Sequence, residues 1–136
     1  MEDTIRDLLK EAMGITDEDM ARLNPNMLTA LAGGQLMKYQ IIAEVTHAKY
    51  CGAGIKVGDK IVMEPSTINQ GATSCPLCIG ALAAVYGAQR VIFDRLMAGR
   101  EPNVGILDVV ECPDPGIEHG GLGKVRFKVY AQEKAA

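Results

Sequence analysis

Four cysteines are the residues of this 136-residue chain whose type and spacing are best suited to chemistry. They stand at Cys51, Cys75, Cys78 and Cys112, so only the middle two form a Cys-x-x-Cys motif. Thiolates bind zinc and iron–sulfur clusters, and a reducing cytosol keeps cysteines from pairing as disulfides. One close pair with two distant single cysteines therefore predicts a metal site whose assembly depends on the fold.

The Cys-Pro-Leu-Cys motif precedes an apolar stretch and is predicted to open a helix over 76–98, because proline favours the first helical position. Cys75 would then be the N-cap and Cys78 the third helical residue, two positions whose side chains meet. The free N–H groups of a helix start also favour thiolates. We predict a site in which all four cysteines bind one metal, zinc in preference to an iron–sulfur cluster.

The same motif supports a second hypothesis, a thiol-redox protein that uses Cys75 and Cys78. Proteins of the glutaredoxin type carry Cys-Pro-x-Cys at a helix start. Their motif directly follows the first strand of a βαβ unit, whereas a long loop precedes it here. The metal site is therefore favoured, and the redox protein is kept as an alternative.

The two histidines are candidates for a further alternative, a small metal-dependent enzyme. His119 lies in the glycine-rich segment 116–123, after the turn at Cys112, where an imidazole can act as a general acid or base. In this hypothesis the metal keeps one open coordination position for a small polar metabolite. His47 stands four residues before Cys51 and could join the site. A solvated or core histidine is the commoner explanation for each.

The pattern of apolar residues predicts the elements that must position these side chains. Helical spacing indicates three helices within residues 1–31, and alternation indicates strands at 39–46, 60–63, 106–112 and 124–130. In the last strand, Val125, Phe127 and Val129 are predicted to face the core. This order favours an α+β fold, in which N-terminal helices precede a mostly antiparallel ββαββ sheet covered by one long central helix.

We divide the chain into an N-terminal helical segment, 1–37, and a cysteine-containing α+β domain, 38–136. The helices of 1–37 carry more apolar surface than a small sheet domain needs. They are therefore predicted to pack on another copy of the chain or on a larger enzyme subunit. This predicts an oligomeric or accessory component of a metabolic enzyme system.

Composition argues against two classes of partner. A net charge of −3, four tyrosines, two phenylalanines and no tryptophan leave little material for a nucleic-acid surface. The longest nearly apolar run, 77–88, falls well short of the ~20 residues of a membrane-spanning helix. The acidic, amphipathic start of the chain is unlike an export signal, so we predict a cytoplasmic protein.

Residues 39–130 resemble a family of small bacterial proteins of uncharacterised function, known only as uncharacterised repeat proteins. The matching motifs are Cys-x2-Gly-x-Lys-x-Gly-Asp at 51–59, Cys-Pro at 75–76, Cys-Pro-Asp at 112–114 and Val-x-Phe at 125–127. The resemblance implies Cys51, Cys75 and Cys112 as shared sulfurs, with a small residue commonly in place of Cys78. The resemblance thus leaves open a three-thiolate site whose fourth position is water, substrate or a residue such as His47 or His119.

Overall fold

A computed structural model of the chain describes residues 2–106 and 108–135. Its regular elements follow one another as α1 (Glu2–Met13), α2 (Asp17–Arg22), α3 (Pro25–Ala32), α4 (Gln35–Lys38), β1 (Tyr39–Lys49), β2 (Lys60–Met63), α5 (Ile79–Met97), β3 (Val109–Glu111) and β4 (Lys124–Glu133). A short 3₁₀ helix, Ile117–His119, lies between β3 and β4. The predicted α+β class is confirmed.

The four strands form one antiparallel sheet in the order β2-β1-β4-β3. The two long strands, β1 and β4, pair along their lengths at the centre, and the shorter β2 and β3 form the edges. A β-bulge interrupts the central pairing, because Val45 pairs with Phe127 and His47 with Arg126, which leaves Thr46 without a partner. The extra residue shifts the alternation of β1, so His47 shares a sheet face with Arg126.

The core lies between one face of the sheet and α5. Val125, Phe127 and Val129 of β4 are buried, as their alternation predicts. The buried apolar residues of α5 recur at helical spacing and form a stripe toward the sheet: Ala81, Val85, Ala88, Ile92 and Leu96. Strand β1 adds three more buried side chains to the same cluster: Ile41, Ala43 and Val45. The long helix therefore covers the sheet as predicted.

The N-terminal helices join the rest of the molecule through α5, which α3 and α4 both contact. Helix α1 contacts α3 and buries none of its own residues. Its apolar side chains Leu8 and Met13 are exposed. The packing of this segment on another subunit stays a prediction.

Helix α5 begins at Ile79, later than predicted, and Cys78 rather than Cys75 is its N-cap. The expected geometry, with Cys75 as N-cap and Cys78 at the third helical position, is therefore wrong. Hydrogen bonds to strand β2 explain the difference. The N–H of Ser74 donates to the Lys60 carbonyl, and the N–H of Lys60 donates to Ser74 Oγ, both at 2.9 Å. These bonds keep the chain beside the sheet edge as it enters the cysteine motif.

Strand β3 covers only Val109–Glu111, shorter than the predicted 106–112. Residue 107 of that range lies outside the described residues. Pairing continues just beyond the strand, where the N–H of Cys112 donates to the Val125 carbonyl at 2.9 Å. In the described part of the chain, no helix is long and apolar enough to cross a membrane.

Candidate metal centre

Three of the four cysteines line one cavity of about 170 Å³. Cys51 follows β1, Cys78 caps α5 and Cys112 follows β3, so the three sulfurs come from distant parts of the chain. All three cysteines are free and half-buried. The rest of the lining is mostly small or apolar: Gly52, Ala53, Ile55, Gly80, Ala81, Pro113, Asp114, Gly123 and Val125.

Cys75 lies in the core beside this cavity and is only 7% exposed. Its sulfur lies 4.0 Å from the Lys60 carbonyl, a weak S–H···O contact. Burial raises the pKa of the Cys75 thiol, and the nearby Asp59 carboxylate raises the pKa further, with smaller contributions from the neighbouring Cys51 and Cys78. A buried thiol in such surroundings stays protonated unless a cation offsets the charge of its thiolate.

The loop that carries Cys51 is tied to the cysteine motif through Asp59. One carboxylate oxygen of Asp59 accepts a hydrogen bond from the N–H of Lys56 at 3.0 Å. The other oxygen accepts from Ser74 Oγ at 3.2 Å. Because Ser74 immediately precedes Cys75, Asp59 fixes the Cys51 loop relative to the Cys75 segment.

Asp114 organises the loop after Cys112 in a similar way. Its carboxylate accepts hydrogen bonds from the backbone N–H groups of Gly116, Leu122 and Gly123 at 2.9, 2.9 and 3.1 Å. These bonds, chiefly those from Gly116 and Leu122, hold the pKa of the Asp114 carboxyl below its usual range. The loop is thereby closed on itself, with Cys112 at its start.

The two loops meet at Gly123. A Cβ atom at this position would lie 2.5 Å from the carbonyl oxygen of Tyr50 and 3.0 Å from the Cα of Cys51. Such distances are too short for any side chain, so this approach requires glycine. Beside it, the N–H of Val125 donates to the sulfur of Cys112 at 3.3 Å. Hydrogen bonds to sulfur orient and tune thiolate ligands in metal centres.

The side chains as placed do not form a closed coordination sphere. Within residues 2–106 and 108–135, no three His, Cys, Asp or Glu side chains are arranged to hold one ion. The cavity of about 170 Å³ is also larger than the ~10–15 Å³ that one water molecule needs. Metal binding would therefore draw the sulfurs inward to the ~2.3 Å bonds of a zinc–thiolate site.

Neither histidine lines the cysteine cavity. His47 and His119 are exposed and line a second cavity, of about 460 Å³, on the sheet face opposite α5. The structure thus separates the candidate acid/base His119 from the sulfurs. The basic side chains of this second cavity were not predicted as a site, although Lys124 and Arg126 alternate with the inward-facing residues of the predicted last strand and lie on the cavity floor.

Comparison of the chain with protein-family models, curated proteins and solved structures finds no match. The family resemblance based on the cysteine motifs therefore stays a prediction.

Proposed function

We propose that this chain is a metal-binding protein in which Cys51, Cys75, Cys78 and Cys112 bind one zinc ion. The observation that carries the proposal is the cavity lined by three cysteines from three separate segments, with the fourth cysteine beside it. Four thiolates are a typical donor set for structural zinc. An iron–sulfur cluster with the same ligands is the alternative centre.

The local electrostatics support a cation at this place. Burial and neighbouring negative charge disfavour the thiolate of Cys75, and a divalent ion would reverse that effect. Small residues on the cavity wall, such as Gly52, Ala53 and Gly80, leave room for the sulfurs to approach an ion. The Cys51 backbone already lies against Gly123, whose N–H donates to Asp114 in the loop that begins at Cys112.

A closed four-thiolate site points to a structural role for the metal. We therefore propose an accessory component of a metabolic enzyme system that acts as an oligomer or beside a larger subunit. The exposed apolar residues of α1 support this assignment. Free cysteines also favour a reducing compartment, so we propose the cytoplasm.

The two alternative functions receive less support. A thiol-redox centre needs a first cysteine with a lowered pKa at the helix start, whereas Cys75 is buried, lies before the helix and has a raised pKa. A metal-dependent enzyme using His119 needs that imidazole beside the metal, whereas His119 lines the other cavity.

Metal analysis of protein purified anaerobically under reducing conditions tests the proposal. We expect one zinc per chain, no visible colour and no freely titratable thiols while the metal is bound. Brown protein that contains iron and sulfide would show that an iron–sulfur cluster, rather than zinc, is bound by the same ligands. Metal-free folded protein with four freely titratable thiols would contradict the proposal.

Single alanine variants then identify the ligands. Cys78→Ala and Cys75→Ala should each release the metal or weaken its binding by more than tenfold. Loss of a residue that only hydrogen-bonds to a metal ligand already lowers metal affinity by about 10–100-fold. Ile55→Val is the matched control, since it trims a cavity-lining residue that bears no sulfur. Full metal retention by Cys78→Ala would instead assign a three-cysteine site, the arrangement that the family resemblance leaves open.

A further inference from the structure

We propose that the second cavity is a binding site for a small organic anion, whose carboxylate or phosphate lies against Lys49, Lys124 and Arg126. The cavity has a volume of about 460 Å³ and lies between the outer sheet face and the segment 115–122. This proposal is independent of the metal site, because it involves none of the four cysteines.

The floor of the cavity concentrates basic side chains on the sheet. Lys49 stands directly opposite Lys124 in the β1–β4 pairing, and His47 stands opposite Arg126. Like charges directly opposite one another destabilise a sheet. Such an arrangement in a chain of net charge −3 indicates a function other than stability, and anion binding would relieve the repulsion.

Only part of this charge is neutralised within the protein. Glu111 pairs with Lys124 through Oε2 at 2.8 Å and with Arg126 through Oε1. Lys49 forms no ion pair with any described residue, and its ammonium lies 5.2 Å from the centre of the Tyr50 ring. Glu118 is the other acidic side chain in the lining. The three cations Lys49, Lys124 and Arg126 thus outnumber the two carboxylates. The ion pairs with Glu111 fix the side chains of Lys124 and Arg126 on the cavity floor.

Two backbone irregularities border the same cavity. The β-bulge at Val45 and His47 turns His47 to the face of Arg126. Tyr50 has a φ of +55°, the left-handed conformation, and is the one such non-glycine residue among those described. Tyr50 as a whole is 60% exposed. Bulges and strained residues of this kind concentrate at functional sites.

The opposite wall supplies apolar contacts for the body of a ligand. Ile117 of the 3₁₀ helix and Leu122 are both more than half exposed and line the cavity. His119 lines the same wall. Cationic groups on the floor, an exposed aromatic ring and an apolar wall together fit an organic anion better than an inorganic one.

Titration of the isotope-labelled full chain with phenyl phosphate, benzoate and inorganic phosphate at constant ionic strength tests the proposal by NMR. We expect saturable shifts at residues 47–50, 116–122, 124 and 126, with phenyl phosphate or benzoate binding more tightly than phosphate. The shallow groove lined by Arg90, Arg95 and Arg100 is an internal control for nonspecific anion binding. Equal shifts there, or no saturation up to about 10 mM, would overturn the proposal.

Variants give a second readout. Lys49→Gln should lower the affinity for phenyl phosphate or benzoate about tenfold, because it removes one charge-assisted hydrogen bond. It should also raise the urea midpoint of the ligand-free chain, because it removes the repulsion with Lys124. Arg95→Gln is the matched control and should change neither shifts nor affinity. Lys49→Gln with unchanged affinity, or with a lowered midpoint, would contradict the proposal.

Discussion

Single residues determine how closely the cysteine-bearing loops approach each other. At Gly123 there is no room for a Cβ, since the Tyr50 carbonyl and the Cys51 Cα occupy that space. Asp114 and Asp59 use their carboxylates to close the two loops that carry Cys112 and Cys51. The positions of Cys51 and Cys112 therefore depend on residues that carry no sulfur.

Gly123→Ala should push the Cys51 loop away from the Cys112 loop, because the new Cβ would overlap backbone atoms. We expect a loss of about 1–3 kcal/mol of unfolding free energy, typical of overpacking, and weaker metal binding. Urea denaturation and competition with a chelator measure the two effects. Gly105→Ala is the control, since a Cβ there meets nothing within 4 Å. Equal behaviour of the two variants would show that the close contact is unimportant.

Glu64 gives the fold a predictable acid sensitivity. Its carboxylate accepts hydrogen bonds from Asn69 Nδ2 and Gln40 Nε2, which lower its pKa, and it pairs with Lys134 at 3.2 Å. A carboxyl whose folded pKa lies below its unfolded value contributes stability above the unfolded value of about 4.3, and this is lost as pH falls through the folded pKa.

Urea midpoints measured between about pH 6 and pH 3 should therefore fall further for the wild-type chain than for Glu64→Gln. Glu133→Gln, at an exposed position of β4, should follow the wild type. A Glu64→Gln profile parallel to that of the wild type would refute this assignment.

At the level of elements, the cysteines lie in segments that follow β1 and β3 or precede α5, so the sheet and α5 position them. The existence of α5 and the inward residues of β4 could be predicted, because their apolar periodicity directly reflects burial. The start of α5 could not, since hydrogen bonds between Ser74 and Lys60 depend on the neighbouring strand. The bulge at Thr46 could not be predicted either, because it arises from the register between β1 and β4 rather than from a local signal.

The conformation of the whole loop 112–123 should depend on Asp114. Asp114→Asn keeps one acceptor oxygen but loses the charge and the second acceptor, so the three N–H bonds cannot all persist. We expect a lower melting temperature and faster loss of metal to a chelator. Asp94→Asn, on the exposed side of α5, is the control and should leave both unchanged. Identical melting of the two variants would contradict the role assigned to Asp114.

At the scale of the whole molecule, the fold brings cysteines that are distant in sequence to one cavity. The spacing of the cysteines indicates a shared site, but not which of them face the cavity. In the structure Cys51, Cys78 and Cys112 line it, whereas Cys75 lies in the core beside it. That distinction follows from the late start of α5 and from the pairing of β3 with β4, both of which are tertiary features.

X-ray absorption spectroscopy of the metal bound to the purified chain is the sharpest test of the proposed four-thiolate site, because it counts the sulfur atoms around the ion. We expect one metal centre whose nearest shell holds four sulfurs, at about 2.3 Å for zinc. A shell dominated by nitrogen or oxygen, or a folded chain that takes up no metal, would contradict this expectation.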